Sequence, residues 1–216
     1  MKQFRALAAF ALVLAAAAAL TACGGATAGD ASFGGGSSQT PAPASTASSF
    51  SVAHYENQEY GFGIDYPAGF TKLELPPKAG DPAAPKVQVF FADPAGTKVA
   101  GTTVDTLEVA VYGLSAAPKK TDFTTNKADF EAMLGVLVGQ PPDLKVVEPV
   151  AWTTVDGRPA VTETYTYTVS GRDVAASVQL AFKGDGAYLV RAQAARETWE
   201  TTGRQLVSCM ATFAFL

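Results

Sequence analysis

Hydrophobic and polar positions alternate most cleanly at 161–169, where Val161, Tyr165, Tyr167 and Val169 fall on one side of the chain and four threonines on the other. A period of two marks a half-buried strand. Asp156-Gly157 separates this run from an apolar one at 150–155. Asp-Gly supplies the positive φ values of a two-residue hairpin, so the two runs are expected to pair antiparallel. Ser170-Gly171 leads into a strand at 174–182 and Gly184-Asp185-Gly186 into one at 188–192, completing a four-stranded meander. Upstream, strands are expected at 62–66 and 70–75 around the turn Pro67-Ala68-Gly69, then at 87–92 and 106–112 beyond a Pro-rich loop at 76–85.

Between the two halves, Phe130, Met133, Leu134 and Leu137 stand at i, i+3, i+4 and i+7. That spacing gives one face of a helix over 126–139, ended by Gly139 and Pro141-Pro142. Residues 197–210 repeat the helical spacing with Trp199, Leu206, Val207 and Met210. Two helices and about eight strands, sheets in the middle, predict an α+β layered domain.

The N-terminal pattern is of another kind. Residues 6–20 are an unbroken apolar run behind Lys2 and Arg5, closed by Leu20-Thr21-Ala22-Cys23. The run is too short for a permanent span of a core about 30 Å thick. The segment resembles the lipobox of bacterial lipoproteins. That resemblance implies a signal peptide over 1–22, a diacylglyceryl thioether on Cys23 with a palmitate-type acyl group on its freed amine, and a cell-membrane anchor facing the extracytoplasmic side. In a two-membrane bacterium the outer membrane is the other address. An ordinary secretory signal and an uncleaved anchor are the competing readings; the short run and the lack of a charged stop oppose the second. Residues 23–50 are almost wholly Gly, Ala, Ser, Thr and Pro. They read as a disordered tether with a root-mean-square span of about 28 Å. Residues 51–216 form one domain, able to bury roughly 70% of its unfolded surface.

Charge and cysteine content narrow the function. Removing Lys2 and Arg5 with the signal peptide leaves 14 basic against 20 acidic residues. That argues against nucleic acid as a partner and makes the lipid, rather than a basic patch, the membrane attachment. With Cys23 lipidated, Cys209 has no disulfide partner, and its apolar surroundings in the sequence predict a buried thiol rather than a reactive one.

The single histidine, His54, reads as an exposed residue at the end of the linker, with no zinc-ligand or triad spacing around it. No catalytic residue, metal or cofactor is expected, and the chain is not expected to be an enzyme. Trp152, Glu163, Tyr165 and Tyr167 are candidates for a binding face, with sheet-core packing as the other explanation. Glu163 is either solvated near its strand end or, under a helix, in need of a partner such as Arg172 or Arg191. A carboxylate hydrolase would draw on Asp65 and Glu163.

Three words in order, Tyr60-Gly61-Phe62-Gly63-Ile64-Asp65-Tyr66-Pro67, Asp156-Gly157-Arg158-Pro159-Ala160 and Gly186-Ala187-Tyr188-Leu189-Val190, resemble the PsbP-like proteins of the wider Mog/PsbP sandwich group. The resemblance implies an α/β/α sandwich, an antiparallel sheet flanked by helices, in a small non-enzymatic domain that docks on larger assemblies. It transfers no binding residue. The expected role is therefore a membrane-anchored interaction or ligand-binding domain whose partner is an envelope protein or small ligand. An accessory factor of a membrane electron-transfer or photosynthetic complex is the alternative.

Overall fold

The computed structural model describes residues 50–216 apart from 78–83, 115–117, 140 and 142. The expected signal peptide, Cys23 and all of the expected tether except Phe50 lie outside the described residues. The strands are β1 (Val52–Asn57), β2 (Phe62–Pro67), β3 (Thr71–Leu75), β4 (Val87–Ala92), β5 (Lys98–Val99), β6 (Thr102–Thr103), β7 (Thr106–Gly113), β8 (Lys145–Val155), β9 (Arg158–Val169), β10 (Arg172–Lys183), β11 (Gly186–Ala195) and β12 (Ala214–Phe215). The helices are α1 (Lys120–Thr125), α2 (Lys127–Leu137) and α3 (Arg204–Met210).

The meander forms as its turn residues require. Asp156 and Gly157 take φ of 49° and 72°, and Ser170 and Gly171 take 47° and 80°, which twist β8–β9 and β9–β10 into tight hairpins. The strands outrun their expected ends, so β9 and β10 are each 12 residues long. They join a seven-stranded antiparallel sheet in the order β3-β4-β7-β11-β10-β9-β8. β1, β2 and β12 make a second, three-stranded sheet.

The first face of the main sheet carries Val161, Tyr165, Tyr167, Val174, Val178, Leu180 and Leu189 and is closed by Phe130, Met133 and Leu134 of α2. Burial of each of those three helical side chains contributes roughly 1.5–3 kcal/mol. The second face carries Val89, Phe91, Val109 and Val190, and meets Phe62 and Ile64 of β2 together with Leu206, Cys209 and Met210 of α3.

The α/β/α sandwich expected from the sequence is not what the chain builds. Strand far outweighs helix among the described residues, and the second face is closed largely by another sheet rather than by a helical layer. Two physical causes account for the error. β1 has a mixed polar sequence, Val-Ala-His-Tyr-Glu-Asn, that hides its strand character, and its partner β2 leaves the small sheet after Pro67 so that β3 enters the large one. The periodic stretch at 197–210 also breaks up: a 3-10 turn (Arg196–Thr198) and a π-helix (Trp199–Gly203) precede α3, which is only seven residues long.

The outer edge of the main sheet is irregular. β8 shifts register between Val146 and Glu148 and again between Glu148 and Ala151, with Pro149 inside the second shift. Such bulges bend a strand and re-aim its side chains.

Candidate functional site

The four residues expected to form a binding face lie on β8 and β9, toward the first face of the sheet. Tyr165 is fully buried, Glu163 and Tyr167 nearly so, and Trp152 packs at the rim against Phe123 with ring centroids 5.6 Å apart. Tyr165 lies beside a buried ion pair in which Arg191 Nη2 stands 2.5 Å from Glu108 Oε2. Burial works against the Arg191 charge, and Glu108 together with Tyr165 and Tyr167 more than offsets it, so the guanidinium is held more firmly charged than usual. Tyr167 donates to Gln193, whose amide donates to the Val104 carbonyl at 2.9 Å.

Glu163 is served by neither of the arginines considered for it. Arg172 pairs with Glu197 and Arg191 with Glu108. Burial on the first face, with Glu131 next and Lys127 opposing, pushes the Glu163 carboxyl up to about 7. Asp65 does not meet it: β2 packs on the second face, so the main sheet lies between the two carboxylates.

His54 is on β1 rather than in a linker. Its Nδ1 lies 2.7 Å from Asp65 Oδ1 on the paired strand, and that hydrogen bond raises the imidazole above its ordinary value. Cys209 is buried, and burial followed by the nearby Asp65 charge pushes its thiol up to about 11, leaving it un-ionised. Among the described residues, no group of three or more His, Cys, Asp or Glu side chains could hold a metal ion, and no helix is long and apolar enough to cross a membrane.

The open chemistry is on the other side of β9. Thr162, Thr164, Thr166 and Thr168 project toward the second face and are all half-buried, beyond the part that α3 and the small sheet close. Two cavities follow one another along this row. The first, about 480 Å³, is lined by Thr164, Ser177 and Glu148 of the sheet and by Trp199, Arg204 and Ser208 of the C-terminal segment. The second, about 240 Å³, is lined by Thr166, Thr168, Lys145, Asp143, Asp173 and Arg196. Tyr167 also borders the second cavity, and none of Trp152, Glu163 and Tyr165 borders either.

Hydroxyls and carboxylates are paired along this trough. The Thr164 hydroxyl donates to Glu148 Oε2 at 3.0 Å and lies 3.5 Å from Ser177 Oγ. The Thr168 hydroxyl donates to Asp173 at 3.2 Å, and Thr168 also hydrogen-bonds Asp143 and holds its carboxyl below the usual range. Arg204 reaches Glu200 one helical turn earlier, with Nε to Oε2 at 2.7 Å.

The far wall is positioned by Asp105, a buried carboxylate at the foot of β7. It accepts from the Ala195 N–H at 2.9 Å, the Thr198 hydroxyl at 3.3 Å and the Thr97 N–H at 2.8 Å. That fixes where β11 ends and the π-helix begins, and with it the placement of Arg196 and Trp199. The Trp199 indole lies on Gly203: a Cβ there would stand 2.7 Å from Cδ2 of the ring. Sequence reasoning passed over this wall because Trp199 sat within an apparent amphipathic helix, and passed over the floor because threonines opposite an apolar stripe read as a solvated strand face. The nearly strict threonine alternation was the available signal.

Comparison with known proteins adds to the fold. No family profile and no curated protein matches the chain. Among solved structures, the cyanobacterial PsbP (CyanoP) of Synechocystis sp. PCC 6803 superimposes with a TM-score of 0.53 at 17% identity, over 80% of this chain and 97% of that one. LpqN of Mycobacterium tuberculosis, described as involved in cell envelope biogenesis, superimposes with a TM-score of 0.46 at 10% identity, over 76% of this chain and 90% of that one. The fold is PsbP-like.

Proposed function

We propose that this chain is a lipoprotein, anchored through Cys23 on the extracytoplasmic side of a membrane, whose domain acts by binding rather than catalysis and engages its ligand in the trough along β9. The observation that carries the reading is the trough: two adjoining cavities with a floor of paired hydroxyls and walls supplied by β8 and the C-terminal segment. The lipobox at Leu20-Thr21-Ala22-Cys23 supports the anchor, and the PsbP-like fold accords with a small accessory domain.

A photo-activatable phenylalanine analogue at Ser208, on the exposed wall of the trough, tests this in cells, with the same probe at Leu73 on the remote β3 edge as control. Capture of a discrete envelope component at Ser208 but not at Leu73, reduced by Cys23→Ser, is the expected result. No capture above the Leu73 control removes the trough as the working site. Capture of a subunit of an electron-transfer complex would favour the accessory-factor alternative.

A further inference from the structure

We propose that the trough takes an extended, uncharged polyhydroxylated ligand, a glycan chain lying along β9, with Trp199 as its stacking surface. This rests on the reading of the trough as the ligand site and names the ligand's chemistry. Three observations carry it.

First, the trough is lined by rotatable hydroxyls. Thr164, Thr166, Thr168, Ser177 and Ser208 can each donate and accept, so they can match a ligand whose own groups do both. Val147 and Val207 are the only aliphatic side chains lining the two cavities, too little apolar surface for an acyl chain, which would also strip water from the hydroxyls and carboxylates around it.

Second, the charges cancel. Glu148, Asp143 and Asp173 face Lys145, Arg196 and Arg204, three of each sign. A phosphate polymer or a polycation would meet as much repulsion as attraction. A neutral ligand meets carboxylates that accept from its hydroxyls and cations that donate to its oxygens. Glu148 and Asp173 already accept from Thr164 and Thr168, which shows that their geometry suits a hydroxyl donor.

Third, one aromatic ring is set into the wall and held still. Gly203 lets the Trp199 indole lie against the π-helix, and Asp105 fixes the start of that segment through Thr198. The indole is half-buried and borders the larger cavity. A fixed aromatic surface beside hydroxyl and carboxylate groups suits the C–H face of a sugar ring; π-helical turns occur often at functional sites. From Thr164 to Thr168 the row runs about 13 Å at roughly 3.3 Å per residue, which favours a chain of rings over a single one.

The test uses the full lipidated chain in a detergent without a sugar headgroup. Binding is followed by isothermal titration calorimetry, with tryptophan emission beside it in the parent chain, while malto-, cello- and chito-oligosaccharides of two to six units are added, alongside an array of neutral envelope glycans. A saturable change with at least one glycan is expected, tightening with chain length and weakened at least tenfold by Trp199→Ala. Thr164→Val, which keeps the strand and its shape, should weaken it several-fold; it preserves the test if Trp199→Ala fails to fold. Binding that ignores both substitutions overturns the proposal. So does the absence of glycan binding when the Ser208 probe still captures a component in cells, an outcome that leaves the trough as the site and removes the glycan. Failure of both experiments removes the two readings together.

Discussion

The two faces of β9 are built from the same twelve residues and end in opposite conditions. On the first face Val161, Glu163, Tyr165 and Tyr167 are sealed beneath α2 and beside the Glu108–Arg191 pair. On the second face the alternating threonines remain half-open, floored and walled but not covered. The residues with the most conspicuous chemistry are thus the ones committed to packing, and the plain ones border the space a ligand could enter. The rings gain by burial while a tyrosine hydroxyl or a carboxylate beside them is costly to bury without a partner, whereas a threonine tolerates either environment.

If the first face is scaffold, its loss should be felt as stability alone. Leu134→Ala, on the buried face of α2, should cost about 2–5 kcal/mol in chemical denaturation. Capture at Ser208 should persist at temperatures where the variant is folded; loss of capture in the folded variant would break the division between faces. Asp105→Ala spans both regions. It leaves the N–H groups of Ala195 and Thr97 without their acceptor and frees the π-helix, so it should cost about 2–4 kcal/mol and also blunt the response of Trp199 to ligand.

Glu163→Gln sharpens the contrast through pH. The folded-state carboxyl sits near 7, above its ordinary 4.5. Folding therefore holds a proton on it, and the resulting penalty is absent below about pH 4.5, grows toward pH 7 and is constant above that. Glutamine removes the penalty. The variant should be more stable than the parent by about 1–2 kcal/mol at pH 8 and equal to it near pH 4. A pH-independent difference would mean that Glu163 is not buried as described. The smallest effect is expected from Thr164→Val, within about 0.5 kcal/mol in stability, even though it removes a floor hydroxyl of the trough.

Much of the scaffold was legible in the sequence because it is local. The positive-φ pairs Asp156-Gly157 and Ser170-Gly171, the alternation in β9 and the spacing of Phe130, Met133 and Leu134 are each decided within a few residues. The assignment of strands to sheets was not legible: nothing near Pro67 tells β2 and β3 that they belong to different layers, since that is settled by Phe62 and Ile64 finding α3 nearly 150 residues away. α1 escaped notice because Lys-Thr-Asp-Phe-Thr-Thr has little helical propensity and stands through its neighbour, with Phe123 set edge-on against Phe130. The candidate site was missed for the same reason as the topology. Its floor threonines and Trp199 stand more than 30 residues apart in the chain, and only the closed sheet brings Thr164 to Trp199.

The irregular edge at β8 has a further consequence. A regular strand there would present a ready row of N–H and C=O groups, on which a second molecule could lay its own strand and begin a growing ribbon. Two register shifts, the second containing Pro149, interrupt that row, while Lys145 and Glu148 place charge beside it. Where many copies crowd together on a surface, that edge would keep neighbours from polymerising into one another.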